Sequence, residues 1–149
     1  MKNDILSLLE REHRDMAVLL NTIVSAEDVS RQIDFATLRR LSRTLEVHTR
    51  IEENYLYTHA LQEREVASLV QYFYSQHRLI KDLLNRLDSG DSVAELVKIC
   101  RLIQDELQRH IHEEEGQLFP VLRSQWGEET LLELGDKMLE MKDEELSGR

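Results

Sequence analysis

Six residues of this chain combine a type and a spacing that suit chemistry: His13, His48, Glu52, His77, His110 and Glu114. Four of them form two pairs with one pattern, H-x-x-x-E-E-x-x-L-[YF], running from His48 to Tyr57 and again from His110 to Phe119. A His and a Glu four residues apart lie on one face of a helix, one turn above the other. Turned inward, each pair offers one imidazole and one carboxylate to the same point. Imidazole nitrogen suits iron, zinc, copper and nickel, whereas carboxylate oxygen suits harder ions and can bridge two metals. An ionised carboxylate in a dry core costs several kcal/mol unless it is paired or coordinates a metal.

The elements that must position these groups follow from periodicity. The first apolar seam, Leu6, Leu9, His13, Met16, Leu20 and Ile23, steps by 3 and 4 and reads as a helix with Asn3 or Asp4 as N-cap. A polar run from Ser25 ends it. Asp34 is a cap for the second helix, whose seam is Leu38, Leu41, Leu45, His48, Glu52, Tyr55 and His59. No Gly or Pro marks the next boundary, which polarity places near Gln62 to Glu65. The third seam is Val66, Val70, Phe73, His77, Ile80, Leu84 and Leu87, closed by the turn signal Asp88-Ser89-Gly90-Asp91-Ser92. The fourth is Val93, Leu96, Cys100, Ile103, Leu107, His110 and Glu114, ended or bent by Gly116 and Pro120. In every seam the ionisable residues take places that apolar residues hold in neighbouring turns.

Four helices with short connections imply an all-α, up-down-up-down four-helix bundle over about residues 4–120, within a single domain spanning 1–149. A shorter amphipathic helix is expected at about 126–143, with Leu131, Leu134, Met138 and Met141 on one side and a charged, frayed tail after Asp143. In an antiparallel hairpin, residues at one height are symmetric about the loop. His13 and His48 are symmetric about 30.5, Glu52 and His77 about 64.5, and His77 and His110 about 93.5, each midpoint falling at or beside an expected connection. All six residues therefore fall at one level to within a helical turn of about 5.4 Å. The stretch from His13 to Asn21 also repeats from His77 to Asn85, at an offset of 64, and the two H-x-x-x-E-E stretches repeat at 62. The bundle reads as a duplicated hairpin in which each half supplies His, His and Glu. A single H-x-x-x-E in a charged chain is a weak signal. Six such members at one height in two related halves point to a metal centre rather than to a His–Glu hydrogen-bond network. Six ligands without a thiolate exceed what a tetrahedral zinc site needs, so two metals are expected.

Bulk composition narrows the class. The chain has 149 residues, five Gly, one Pro and a formal charge of −10, which favours helices and argues against nucleic-acid or anionic-membrane partners. No apolar run approaches a membrane span, and no signal-peptide core follows Met1. The one cysteine, Cys100, fits a reducing, cytoplasmic setting and reads as a small core residue.

The His on the first helix, the two H-x-x-x-E pairs and the His on the third helix resemble the hemerythrin-like HHE cation-binding domain, over about residues 5–122. The resemblance implies a non-haem di-iron centre, two iron ions joined by an oxo or hydroxo bridge. His13, His48, His77 and His110 would be ligands, and Glu52 and Glu114 bridging carboxylates. It implies a small diatomic or peroxide ligand, such as oxygen, peroxide or nitric oxide, in stress response. Oxygen-carrying hemerythrins have a further His one turn before the third-helix ligand, where this chain has Phe73. Their last carboxylate is an Asp one residue further along, where Glu115 stands here. The site is closer to the di-iron core of iron–sulfur-cluster repair proteins, which shifts the expected chemistry from oxygen carriage to redox, peroxide, nitric-oxide or iron-sensing roles. The alternative is an iron- or oxygen-sensing module without turnover, docking a protein partner or a second copy through the carboxy-terminal segment.

Around the six, Tyr55 is placed one turn past Glu52, in reach of a ligand carboxylate or in the core, and His59 at the bundle end. Phe73 and Tyr74 are core aromatics beside His77. Glu10 either orients His13 or faces water, Glu113 and His112 point to solvent, and the spacing leaves Glu115 unassigned.

Overall fold

The computed structural model describes residues 3–25, 35–90 and 92–147, and among them the structure is helical throughout apart from short connections. Four helices form the bundle: α1 (Ile5–Ser25), α2 (Phe35–Ile51), α3 (Ala67–Asp88) and α4 (Val93–Glu113). A fifth, α5 (Glu128–Ser147), follows and packs on α1 and α2. Helix α1 also packs on α2 and α4, and α3 on α4; of the neighbouring pairs, α2 and α3 are the least closely packed. The all-α bundle expected from the seams is therefore observed.

Local chemistry sets the helix ends. Asp4 caps α1: the Ser7 backbone N–H donates to its Oδ1 at 2.9 Å and the Ser7 hydroxyl to its Oδ2 at 2.8 Å. Ser92 caps α4 by accepting from the Glu95 N–H at 3.2 Å. The connection expected near Gln62 to Glu65 is a set of turns over residues 61–66. The cap expected at Asp34 lies outside the described residues, as do residues 26–32 of the first polar run and Asp91 of the turn after α3.

Helix α4 runs further than its sequence suggests, and α2 reaches its expected end through a change of helical period. Helix α2 continues through a π-helical stretch, Glu52–Tyr57, and a last turn, Thr58–Ala60. Helix α4 continues through a second π-helical stretch, Glu114–Leu118, into Phe119–Gln125, so Gly116 and Pro120 do not end it. Pro120 has no N–H to give, and it stands directly after a turn in which the bonding ladder has already slipped by one residue. Each π stretch starts at one of the two inner Glu residues, 62 positions apart, so the duplication extends to backbone geometry.

The extra residue per π turn changes which side chains face inward. In an α-helix the residues three and four after Glu52 would share its face. Here Leu56 and Tyr57 are buried, while Tyr55 is half-buried and His59 is exposed. The placement of Tyr55 and His59 on the seam is thus corrected by one residue of slip. Likewise Leu118 and Phe119, four and five beyond Glu114, are buried.

The core has two apolar clusters, with the His and Glu residues between them. One holds Met16, Leu20, Leu41, Leu45, Ile80, Cys100 and Ile103 with their neighbours. The other holds Leu6, Leu9, Ile51, Leu56, Phe73, Phe119 and Leu122, and α5 completes it with Leu131, Leu134 and Met138. At 20 residues α5 is longer than the short helix expected, and its end is tied down rather than frayed. Glu145 accepts from Arg43 at 2.9 Å and pairs with Arg50.

Helix α5 approaches α1 through Gly135: a Cβ there would lie 2.0 Å from the Asn3 carbonyl oxygen and 3.1 Å from the Ile5 nitrogen. Ala is the better helix former by about 1 kcal/mol, so an unhindered helical Gly→Ala change stabilises. At Gly135 the methyl would meet backbone, which cannot swing aside. Gly135→Ala is expected to destabilise by about 1–3 kcal/mol, the usual scale of overpacking. A urea melt that shows Gly135→Ala as stable as the parent would show that α5 is not held this closely.

Candidate metal centre

All six residues singled out by spacing come together. His13, His48, Glu52, His77, His110 and Glu114 are each at least 96 % buried and meet in the layer between the two apolar clusters. The four imidazoles direct Nε2 inward. Glu52 Oε2 lies 3.3 Å from His13 Nε2 and 3.2 Å from His48 Nε2. Its Oε1 lies 2.9 Å from His77 Nε2 and 3.5 Å from His110 Nε2. Glu114 spans the same division, with Oε1 3.1 Å from His13 Nε2 and Oε2 3.3 Å from His110 Nε2. Each carboxylate therefore offers one oxygen to each of two imidazole pairs, His13/His48 and His77/His110. The ring centroids within each pair are 4.8 Å apart.

The outward Nδ1 atoms are all held. His13 Nδ1 lies 2.6 Å from Glu115 Oε2, and His48 Nδ1 lies 2.7 Å from Glu12 Oε1. His77 Nδ1 lies 2.7 Å from Glu53 Oε2, and His110 Nδ1 lies 2.7 Å from Gln76 Oε1. Acceptors at Nδ1 keep its proton there and leave Nε2 with a free lone pair, which is how metal-binding histidines are commonly oriented. Glu10, one candidate for orienting His13, instead accepts from Arg123 at 3.4 Å; Glu115 does the work at His13. Glu113, expected in solvent, accepts from Gln76 Nε2 at 2.9 Å and from the Tyr72 hydroxyl at 3.0 Å, and so fixes the Gln76 amide.

Sequence reasoning missed Tyr57. Its hydroxyl stands among the inner groups, 3.3 Å from His77 Nε2, 3.4 Å from His110 Nε2 and 3.4 Å from Glu52 Oε1, and it donates to Glu114 Oε2. The π turn brings it there, a signal that a helical wheel does not carry. The outer holders were more legible. Glu53 and Glu115 are the second Glu of each H-x-x-x-E-E motif, and Glu12 and Gln76 each precede the His of the 64-residue repeat. Phe119, the repeat partner of Tyr57, stacks beside His13 at 6.2 Å, and Phe73 meets His110 edge-on at 5.2 Å.

The electrostatics follow from two buried carboxylates among four imidazoles. Burial alone would raise the Glu52 pKa, but the charge of His48 and hydrogen bonds from His110 and His13 hold it well below the usual carboxylate range. For His110, burial opposes the charged form, and attraction to Glu114 and Glu52 overcomes it, pushing the imidazole up to about 10. His13, His48 and His77 shift the same way. Tyr57 is pushed well above its ordinary value by burial and then by the charges of Glu114 and Glu52, so its hydroxyl keeps its proton.

The donor set fits a metal. Among the described residues, His48 Nε2 and Glu114 Oε1 are buried side-chain atoms without a hydrogen-bond partner, although Glu52 Oε2 and His13 Nε2 respectively lie within ion-pair distance. Ligand atoms of Glu52, His77, His110 and Glu114 lie within 4.8 Å of one another, as do those of His13, His48 and Glu52. Orphaned donors in a dry site, backed by oriented Nδ1 atoms, are what a cation would satisfy. Fold and site together define a helical bundle with a buried His/Glu cluster that fits a metal.

The comparisons agree. The model of the hemerythrin HHE cation binding domain matches residues 4–122, with a second, overlapping match over 68–146. The chain belongs to the hemerythrin HHE family. Comparison with curated proteins and with solved structures gave no match. No helix among the described residues is long and apolar enough to cross a membrane.

The pKa directions predict how the metal-free protein responds to pH. His110 is raised from 6.5 to about 10, so its stabilising charge is fully present below 6.5 and is lost as pH climbs towards 10. Glu52 is lowered from 4.5, so its contribution is present above 4.5 and is lost as pH falls through its lower folded value. The metal-free bundle is therefore expected to be most stable between about pH 4.5 and 6.5 and to weaken steadily above 6.5. Metal binding displaces the same protons and should reverse that slope. Thermal melts of both forms at a series of pH values provide the check; metal-free stability rising from pH 6.5 to 9 would contradict the charge assignment.

Proposed function

We propose that this protein holds two iron ions between its two imidazole pairs and uses them to bind or reduce a small ligand such as oxygen, peroxide or nitric oxide. The observation that carries this reading is the division of the two carboxylates. Glu52 and Glu114 each turn one oxygen to the His13/His48 side and the other to the His77/His110 side. Carboxylates placed in this way bridge two metals, and a bundle core supplying them with His from all four helices is the di-metal carboxylate arrangement. His48 and Glu52 would serve with His13, and His110 and Glu114 with His77. An iron pair would supply electrons and Lewis acidity to a ligand too small to need a large pocket.

The chain's own groups support small-ligand chemistry. Phe73, Phe119 and Leu56 close the layer on one side and exclude water. Tyr57 holds a proton at its oxygen beside both inner carboxylates, where a bound ligand would need one. Between α2 and α3 a cavity of about 480 Å³ reaches His77 and Glu53, the pair joined at the outward Nδ1, and is lined by Glu46, Arg50, Arg78 and Lys81. Cytoplasmic location belongs to the same reading, with a buried cysteine, Cys100, as its support.

A second reading, a sensor without turnover, is favoured by one contact. Lys142 on α5 donates to Glu12 Oε2 at 2.6 Å, and Glu12 Oε1 holds His48. A change at the centre would reach α5 through two hydrogen bonds, and a protein partner or second copy docking there would read it.

Anaerobic loading of the metal-free protein with ferrous iron should give about two ions per chain, and admitting oxygen or nitric oxide separately should change the optical spectrum. Fewer than about one ion per chain with no response to either gas would remove the di-iron reading. Turnover of peroxide or nitric oxide separates enzyme from sensor. Glu52→Ala should lower the stoichiometry while keeping the helix content; unchanged stoichiometry would show that Glu52 does not bridge.

A further inference from the structure

The duplication that builds the centre is broken at two places, and both breaks fall on the same side. At His48 the outer acceptor is the carboxylate of Glu12; at the equivalent His110 it is the neutral amide of Gln76. Glu12 and Gln76 are the same position of the 64-residue repeat. At His13 and His77 the outer acceptors are equivalent carboxylates, Glu115 and Glu53. The His13/His48 side thus has two carboxylate-backed imidazoles and the His77/His110 side has one. The second break is Tyr57 against Phe119. Tyr57 donates to Glu114 Oε2 and contacts His77 and His110, whereas Phe119 offers His13 only an apolar ring.

The consequences run in one direction. An imidazole whose Nδ1–H donates to a carboxylate is a stronger base at Nε2 than one donating to an amide, because the negative charge favours partial transfer of that proton. The His13/His48 side is therefore the stronger donor set. It is also where orphaned atoms concentrate: His48 Nε2 and the Glu114 oxygen facing His13 are both buried without a hydrogen-bond partner. On the other side the phenol O–H of Tyr57 already donates to Glu114 Oε2 and competes with a cation for that oxygen.

We propose that the two metal positions load in order, the His13/His48 position first, and that Gln76 is the positioning residue that keeps the His77/His110 position weaker. This rests on the two-metal reading above. Lys142 on Glu12 Oε2 offsets part of that carboxylate's charge, while Oε1 keeps its bond to His48, so the direction of the difference is kept.

The test is a calorimetric and optical titration of the metal-free full chain with Co(II), at fixed pH, which reports affinity without turnover. The parent should bind two ions with dissociation constants at least about tenfold apart. Glu12→Gln should weaken the tighter step by roughly ten- to a hundredfold, the usual effect of altering a ligand's outer partner. Gln76→Glu would set two carboxylates together, because Gln76 Nε2 donates to Glu113 at 2.9 Å. The double variant Gln76→Glu/Glu113→Gln preserves that bond and should tighten the weaker step by about tenfold, drawing the two constants together. A merely structural role for either residue would not move the two steps separately. Two ions with indistinguishable constants in the parent overturn the order while leaving the two-metal reading intact. So does Glu12→Gln acting on the weaker step. Absence of Co(II) uptake by a folded chain overturns the metal centre itself.

Discussion

Two carboxylates, Glu52 and Glu114, stand side by side with no exposure to solvent, and the rest of the structure answers that fact. Neither fits a dry core unless positive charge is brought to it. Four imidazoles supply that charge in the metal-free protein by taking up protons that burial alone would deny them. A divalent ion supplies it more densely and lets the protons go. The helices, their register and the outer ring of acceptors all serve to bring one imidazole from each helix to that pair.

The π turns follow from the same constraint. Each begins at an inner Glu and rotates the next buried aromatic, Tyr57 or Phe119, into the layer beside it. A regular α-helix would have turned Tyr55 and Gln117 towards that layer instead, in place of the Tyr57 hydroxyl that reaches Glu114 and the Phe119 ring that stacks beside His13. The unfavourable geometry of a π turn is thus offset where a buried charge needs a neighbour. Near-symmetry also makes departures from it informative, because a difference between equivalent positions cannot be a property of the fold that both halves share.

Helix α5 belongs to the same account. It covers the apolar cluster beneath the centre with Leu131, Leu134 and Met138. Gly135 brings its backbone against the start of α1, and Lys142 and Glu145 fasten its far end to Glu12, Arg43 and Arg50. The helix that completes the core is thereby joined to the groups that orient His48.

Much of this was legible in the chain. Seam periodicity gave four helices because apolar burial repeats every 3 or 4 residues, and His13, His48, His77 and His110 stood on those seams where Leu was expected. Symmetry about the loops put the six residues at one height because short connections force antiparallel neighbours. The H-x-x-x-E-E repeat even contained the outer holders Glu53 and Glu115, although nothing in a helical wheel distinguishes them from solvated acids. What periodicity cannot express is a change of period. The slip at Glu52 replaced Tyr55 by Tyr57, and the slip at Glu114 carried α4 through Pro120, because those turns answer to contacts across the bundle rather than to neighbours along the chain. The sequence by itself determined which side chains reach the core and that they are the right types for a metal. Only the tertiary structure decided which carboxylate oxygen faces which imidazole and which acceptor holds each Nδ1, since those are distances between helices that no single helix specifies.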